Sequence, residues 1–134
     1  MIIFVVVAAI LLFLIVNSYL RRRGISQYGP EQADELRRNH AGEVILLDVR
    51  TDAERAAGSI PGSLHIPLQE LRHRIAELKK YGNREIICFC QSGNRSGTAA
   101  HLLRKQGLKS ANMKGGIAEW NFLHRTETRQ KGKR

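Results

Sequence analysis

Two short runs, "VILLDV" (Val44–Val49) and "EIICFC" (Glu85–Cys90), constrain the fold of this chain more than any other feature. Each is of strand length and almost wholly apolar, so each needs cover on both faces and suits the middle of a parallel sheet. The flanking segments read as the helices that supply that cover. "PEQADELRRNH" (Pro30–His40) places proline at a first helical position and acidic residues in the first turn. "TDAE" (Thr51–Glu54) fits a capping box, with Gly58 ending the short helix. Prolines bracket a short extended piece in "IPGSLHIP". "PLQELRHRIAELKKYG" then carries Leu68, Leu71, Ile75 and Leu78 at helical spacing, which predicts one helix ended by Gly82. "SGTAAHLLRKQG" predicts a helix starting near Ser96, "SANM" a short strand, and "GGIAEWNFLH" a turn and a terminal helix. Strands alternating with helices imply an α/β domain with a parallel sheet flanked by helices on both faces. No internal repeat is visible.

The first twenty residues obey a different rule. "IIFVVVAAILLFLIV" (Ile2–Val16) is apolar and uncharged, and "NSYL" extends the uncharged run to Leu20. Nineteen helical residues span roughly 28 Å, about the thickness of a bilayer's hydrocarbon core. A cleaved signal peptide would carry positive charge before the apolar run and small residues after it. Here no charged side chain precedes the run and "YLRRR" follows, which favours an uncleaved single-pass anchor. The arginines Arg21–Arg23 then predict an inner, cytoplasmic-membrane location with the following domain in the cytoplasm. Two thiols one residue apart agree, because neighbouring positions on one strand face make poor disulfide geometry and suit a reducing compartment.

The net charge of +10 raises the question of nucleic acid. Its placement argues otherwise: Arg21–Arg23 contribute +3, residues 24–124 another +3, and the ten residues from Arg125 the remaining +4. Basic flanks beside an anchor suit anionic lipid headgroups. The tail "RTETRQKGKR" lacks the interleaved aromatics of a nucleic-acid binder, and its composition reads as a solvated, disordered tail. No nucleic-acid partner is expected.

Chemistry concentrates after the second apolar run, in "CQSGNRS" (Cys90–Ser96). In parallel sheets, ligands gather where strands end and loops lead into helices. Gly93 allows a tight loop whose backbone N–H groups converge on an anion, helped by the positive end of the next helix. A thiol at the rim of that nest is held as thiolate, the nucleophilic form. Arg95 either binds an oxyanion or braces the loop from outside.

In order, "LLDVR" (Leu46–Arg50), Glu54, "GSIPGSLHIP" (Gly58–Pro67), "CQSGNRS" and "GGIAEW" (Gly115–Trp120) resemble the motifs of single-domain rhodaneses. The resemblance covers nearly all of residues 25–124. It implies a rhodanese-like sulfurtransferase with a five-stranded parallel sheet, whose cysteine carries a sulfane sulfur as a persulfide. Carried over, Cys90 is the catalytic nucleophile, and Gln91, Ser92, Gly93, Asn94 and Arg95 form the substrate-binding loop. A small anionic donor such as thiosulfate would load Cys90, and a thiol, a protein acceptor or cyanide would discharge it. No metal or organic cofactor is implied. Phosphatases and arsenate reductases of similar fold place one more residue between cysteine and arginine; the four here favour sulfur over phosphate. The family commonly reads "GHIPGA", so Ser59 and Ser63 are departures, in a region expected to be structural.

The remaining chemistry-bearing residues read as structural. Asp48 and Arg50, at a strand end, suit hydrogen bonding rather than catalysis. Cys88 suits a buried strand thiol. His40, His65, His73, His101 and His124 lack metal-ligand spacing, although His65 or His101 could approach the loop, and Trp120 suits a core anchor. The expected organisation is a transmembrane anchor at 1–20, a basic juxtamembrane linker at 21–29, the rhodanese-like domain at 30–124 and the basic tail at 125–134. Two alternatives stay open: a membrane-tethered interaction module with little turnover, and an oxyanion reductase or phosphatase, against which the short loop argues.

Overall fold

A computed structural model describes residues 1–22 and 24–132. Arg23, part of the arginine run from which a membrane orientation is expected, lies outside the described residues, as do Lys133 and Arg134 of the tail. The chain runs α1 (Ile2–Arg22), β1 (Ser26–Tyr28), α2 (Pro30–Asn39), β2 (Val44–Asp48), α3 (Asp52–Ala56), β3 (Leu64–His65) and α4 (Leu68–Arg74). A 3₁₀ segment (Ile75–Tyr81) follows, then β4 (Glu85–Phe89), α5 (Asn94–Lys105), β5 (Ser110–Met113) and α6 (Gly116–Lys131).

The five strands form one sheet in the order β1-β5-β4-β2-β3, every pair parallel. The two apolar runs sit side by side, Leu46 opposite Ile87 and Leu47 opposite Cys88. Every residue of β4 is buried, as a strand covered on both faces requires. Side chains alternate between two cores. Leu47, Ile86, Cys88 and Cys90 face Leu71, Leu78, Ala99 and Leu103 of one helical layer. Leu46, Ile87 and Phe89 face Ala33, Ile117 and Trp120 of the other. Neither core contains a described residue of α1.

Three elements depart from the sequence reading. Ser26–Tyr28, expected within the linker at 21–29, pairs with Ala111–Met113 as an edge strand. It is held by backbone hydrogen bonds and has two exposed residues, so no apolar alternation marks it. The helix expected through Gly82 turns 3₁₀ at Ile75. Ile75, Leu78 and Tyr81 are spaced by three, the repeat at which a 3₁₀ segment keeps one face on the core, and all three pack there. The tail, expected to be disordered from Arg125, continues α6 to Lys131. Its charges prevent burial but do not prevent helix, no glycine or proline interrupts it before Gly132, and the Thr126 and Thr128 hydroxyls donate to the Leu123 and His124 carbonyls.

α1 carries the apolar run. Ile2–Tyr19 has mean hydropathy 2.8 with none of it buried against the domain, and is a candidate membrane span.

Candidate active site

β4 ends at Phe89, and the chain turns through Cys90–Gly93 into α5, which starts at Asn94, two residues before the position predicted. Gly93 caps the helix at φ +104°, a backbone conformation that costs a side-chain-bearing residue strain. The turn brings donors onto the sulfur. The Gly93 N–H points at Cys90 Sγ at 3.1 Å and the Ser96 hydroxyl at 3.3 Å. Burial alone would push this thiol up. The Ser96 hydroxyl and the backbone N–H groups of Ser96, Gly93 and Ser92 outweigh it, and Cys90 lies below the ordinary thiol range. Two residues earlier, Cys88 is fully buried with no such donors; burial, reinforced by the charge of Cys90, drives its thiol up. Of the two sulfurs, only Cys90 is prepared for nucleophilic chemistry.

Beneath the sulfur lies a polar group that the motif reading did not single out. Ser96 is fully buried, and its hydroxyl also lies 2.6 Å from Asn112 Oδ1 on β5. The Asn112 amide nitrogen donates to Gln27 Oε1 at 2.9 Å and to the Gly93 carbonyl at 3.1 Å, which turns Oδ1 toward Ser96. A hydroxyl has one proton. Ser96 therefore shares it between Asn112 and the sulfur. A buried asparagine paired with an exposed glutamine on the neighbouring polar strand was the available signal, and only the strand pairing reveals it.

Gln91, Ser92 and Asn94 are exposed around the mouth, while Cys90 sits at its floor, 1% exposed. Arg95 braces the loop from outside: its guanidinium grips Glu54 of α3 with two bonds of 2.6 and 2.8 Å. The Arg95 contact, only partly opposed by burial and reinforced by Thr51, lowers the Glu54 carboxyl to about 2. Glu54 also closes the predicted capping box with Thr51.

The double glycine closes the other side. Gly115 and Gly116 adopt φ +77° and +58°, and a Cβ on Gly116 would collide with the backbone of Cys90 and Gln91. That close approach lets the N–H groups of Ile117 and Ala118 reach the Cys90 and Gln91 carbonyls at 2.9 and 3.2 Å. The first turn of α6 thus pins the loop's entrance.

Asp48 and Arg50 are buried and form a two-pronged pair at 3.1 and 2.9 Å, with Arg50 also donating to the Gly58 carbonyl. Ser59 donates to Asp48 at 2.8 Å and Ser63 to the Ile60 carbonyl, so both departures from the common motif sit in structural hydrogen bonds. His65 bonds the Arg50 carbonyl, and His124 stacks on the buried Trp120. No group of three or more metal-ligating residues gathers among the described residues.

A cavity of about 880 Å³ opens in front of the loop, lined by Ser92–Arg95, the start of α5, Lys114, and Leu14, Asn17 and Ser18 of α1. His101 also lines it.

The model of the rhodanese-like domain matches residues 32–122. Over 79 residues the chain is 39% identical to a sulfurtransferase of Allochromatium vinosum, covering 58% of this chain and 72% of that one. It is 40% identical over 93 residues to an HTH-type transcriptional regulator of Mycobacterium tuberculosis, covering 68% of this chain but only 40% of that protein. The structure of a human single-domain sulfurtransferase superposes with TM-score 0.60 at 32% identity, over 70% of this chain and 93% of that one.

Proposed function

The chain belongs to the rhodanese-like family, and from that premise we propose that it is a membrane-anchored sulfurtransferase passing sulfane sulfur through a Cys90 persulfide. The observation that carries this is the set of N–H and hydroxyl donors converging on Cys90 Sγ at a loop with four residues between Cys90 and Arg95. The Cys90 thiolate attacks the outer sulfur of an anionic donor such as thiosulfate. A new S–S bond forms as the donor's S–S bond breaks, and sulfite leaves with the bonding pair. An acceptor thiolate or cyanide then takes the outer sulfur and returns Cys90 as thiolate, a two-step exchange. The same donors that hold the thiolate hold the charged terminal sulfur of the persulfide. The scheme calls for no metal or organic cofactor.

The Arg95 guanidinium is gripped chiefly by Glu54 and also faces the Cys90 sulfur, so it braces the loop and adds positive charge beside the thiolate. A loop this short leaves the sulfur, not a tetrahedral oxyanion, as the group its N–H donors address. The apolar length of Ile2–Tyr19 and the arginines that follow support a single-pass anchor in the cytoplasmic membrane with the domain on the cytoplasmic side. Basic residues at both ends of the domain suit anionic lipid.

The test is to incubate the full chain in detergent or vesicles with thiosulfate and weigh the intact protein. A gain of one sulfur atom, absent from Cys90→Ser, is expected. A folded wild-type protein that gains no mass would leave the interaction module as the better reading.

A further inference from the structure

Resting on the reading above, we propose that the sulfur acceptor is a thiol displayed at the bilayer surface, reached through the cavity that the active loop shares with the anchor helix. The direction of α1 carries the argument. Leu14 and Ser18 line the cavity beside Gly97 and Thr98 at the start of α5, and Gly24, just beyond α1, lies against the Arg104 guanidinium near the end of α5. The two helices therefore run the same way, from the carboxyl edge of the sheet toward its opposite edge. Ile2–Phe13, exposed and apolar throughout, continue past the carboxyl edge, on the side where the active loop opens.

If Ile2–Tyr19 fills the hydrocarbon core, its polar end at Asn17 and Ser18 marks the headgroup level. Ser92–Arg95 line the same cavity as those two residues, so the Cys90 mouth lies at headgroup depth and faces the membrane rather than the bulk solvent. The lining carries Lys114 and no carboxylate, while the Arg95 charge is matched by Glu54 behind the loop, which favours a thiolate or an anionic group beside Lys114. Leu14, Ile25 and Leu68 supply an apolar wall for the stem that bears it. Transfer is balanced: the acceptor thiol releases its proton to water, its thiolate attacks the outer sulfur of the Cys90 persulfide, and the Cys90 S–S bond breaks with its electron pair left on Sγ.

Orientation is tested independently of sulfur chemistry. In a Cys90→Ser background, with Cys88 buried, Thr98→Cys at the cavity and Asn83→Cys at the opposite edge are each placed in the full chain in phosphatidylcholine–phosphatidylglycerol vesicles. Labelling by a lipid with a maleimide headgroup is divided by labelling with a soluble maleimide. The ratio should be about tenfold higher at Thr98→Cys, because the anchor raises the local concentration of headgroups on that side only. Equal or reversed ratios overturn the proposal. A chain that washes off the vesicles in carbonate overturns the anchor reading and this proposal with it. For the acceptor itself, persulfidated wild-type chain is placed in the same vesicles doped with a lipid bearing a thiol headgroup, and separately given glutathione. Discharge to the lipid thiol should fall about fivefold or more when a flexible ten-residue Gly/Ser segment is inserted after Gly24, while discharge to glutathione does not fall. Insensitivity of the lipid reaction to the insert sinks the acceptor assignment. Failure of any persulfide to form would instead sink the sulfurtransferase reading, and with it the acceptor.

Discussion

Replacing Ser96 with alanine removes the hydroxyl donor to the Cys90 sulfur and leaves the backbone N–H groups and the Arg95 guanidinium in place. A hydrogen bond to a charged group contributes about 1.5–3 kcal/mol. Ser96 divides its single proton between Sγ at 3.3 Å and Asn112 Oδ1 at 2.6 Å, so the sulfur receives the weaker share. Half of the upper figure, about 1.5 kcal/mol, corresponds to about one pK unit. The assay is the rate of iodoacetamide alkylation of Cys90 against pH, with Cys88 silent in the core. The midpoint should rise by about one unit in Ser96→Ala. The high-pH plateau should also rise about threefold, since a more basic thiolate is the better nucleophile with a Brønsted slope of about 0.4–0.5. Below both midpoints the gain in nucleophilicity only partly offsets the roughly tenfold loss of thiolate, and the rate falls about threefold. The variant also strands Asn112 Oδ1, at a cost of about 1–3 kcal/mol in stability, so circular dichroism must first confirm folding. An unmoved midpoint in a folded variant would refute the claim that the Ser96 hydroxyl tunes this sulfur.

Further outcomes follow from the same geometry. Gly116→Ala forces a Cβ into the Cys90 and Gln91 backbone at positive φ; it should lower stability by about 1–3 kcal/mol or more, read in urea unfolding, and slow Cys90 alkylation. Asp48→Ala strands the buried Arg50 guanidinium and should cost about 3–5 kcal/mol in the same unfolding measurement. The Glu54 carboxyl is held at about 2 against an ordinary 4.5, so its contribution is complete above pH 4.5 and fades as pH falls from there toward 2. Glu54→Gln should remove that part of the stability–pH curve, by no more than about 1 kcal/mol because the pair is partly solvated. A variant curve parallel to wild type across that window would contradict the assignment.

The order of layers was legible in the sequence because two apolar runs each demanded cover on both faces, and the helices between them announced themselves by caps and spacing. Cys90 and its loop were legible for a similar reason: a glycine after a buried strand in a parallel sheet leaves little choice about where the N–H groups point. What stayed hidden depended on partners distant in the chain. Ser26–Tyr28 is an edge strand because β5 offers it a backbone ladder, not because its side chains alternate. Whether Arg95 would grip an anion or Glu54 could not be read from the loop, since Glu54 lies forty-one residues earlier. Ser96 and Asn112 looked like ordinary small and polar residues until β5 carried one beneath the other. The helical continuation of α6 was masked by composition, which reports on burial and says little about backbone shape.

The hydrogen bonds from Ile117 and Ala118 to the carbonyls of Cys90 and Gln91 have a practical corollary. Grafting the seven letters from Cys90 to Ser96 onto another parallel sheet would transplant a spelling without its scaffold: no helix would clamp the incoming chain, and no asparagine would orient the serine. Reactivity of the thiol is therefore a property of the completed tertiary assembly, and should appear during refolding only when the last helix has docked.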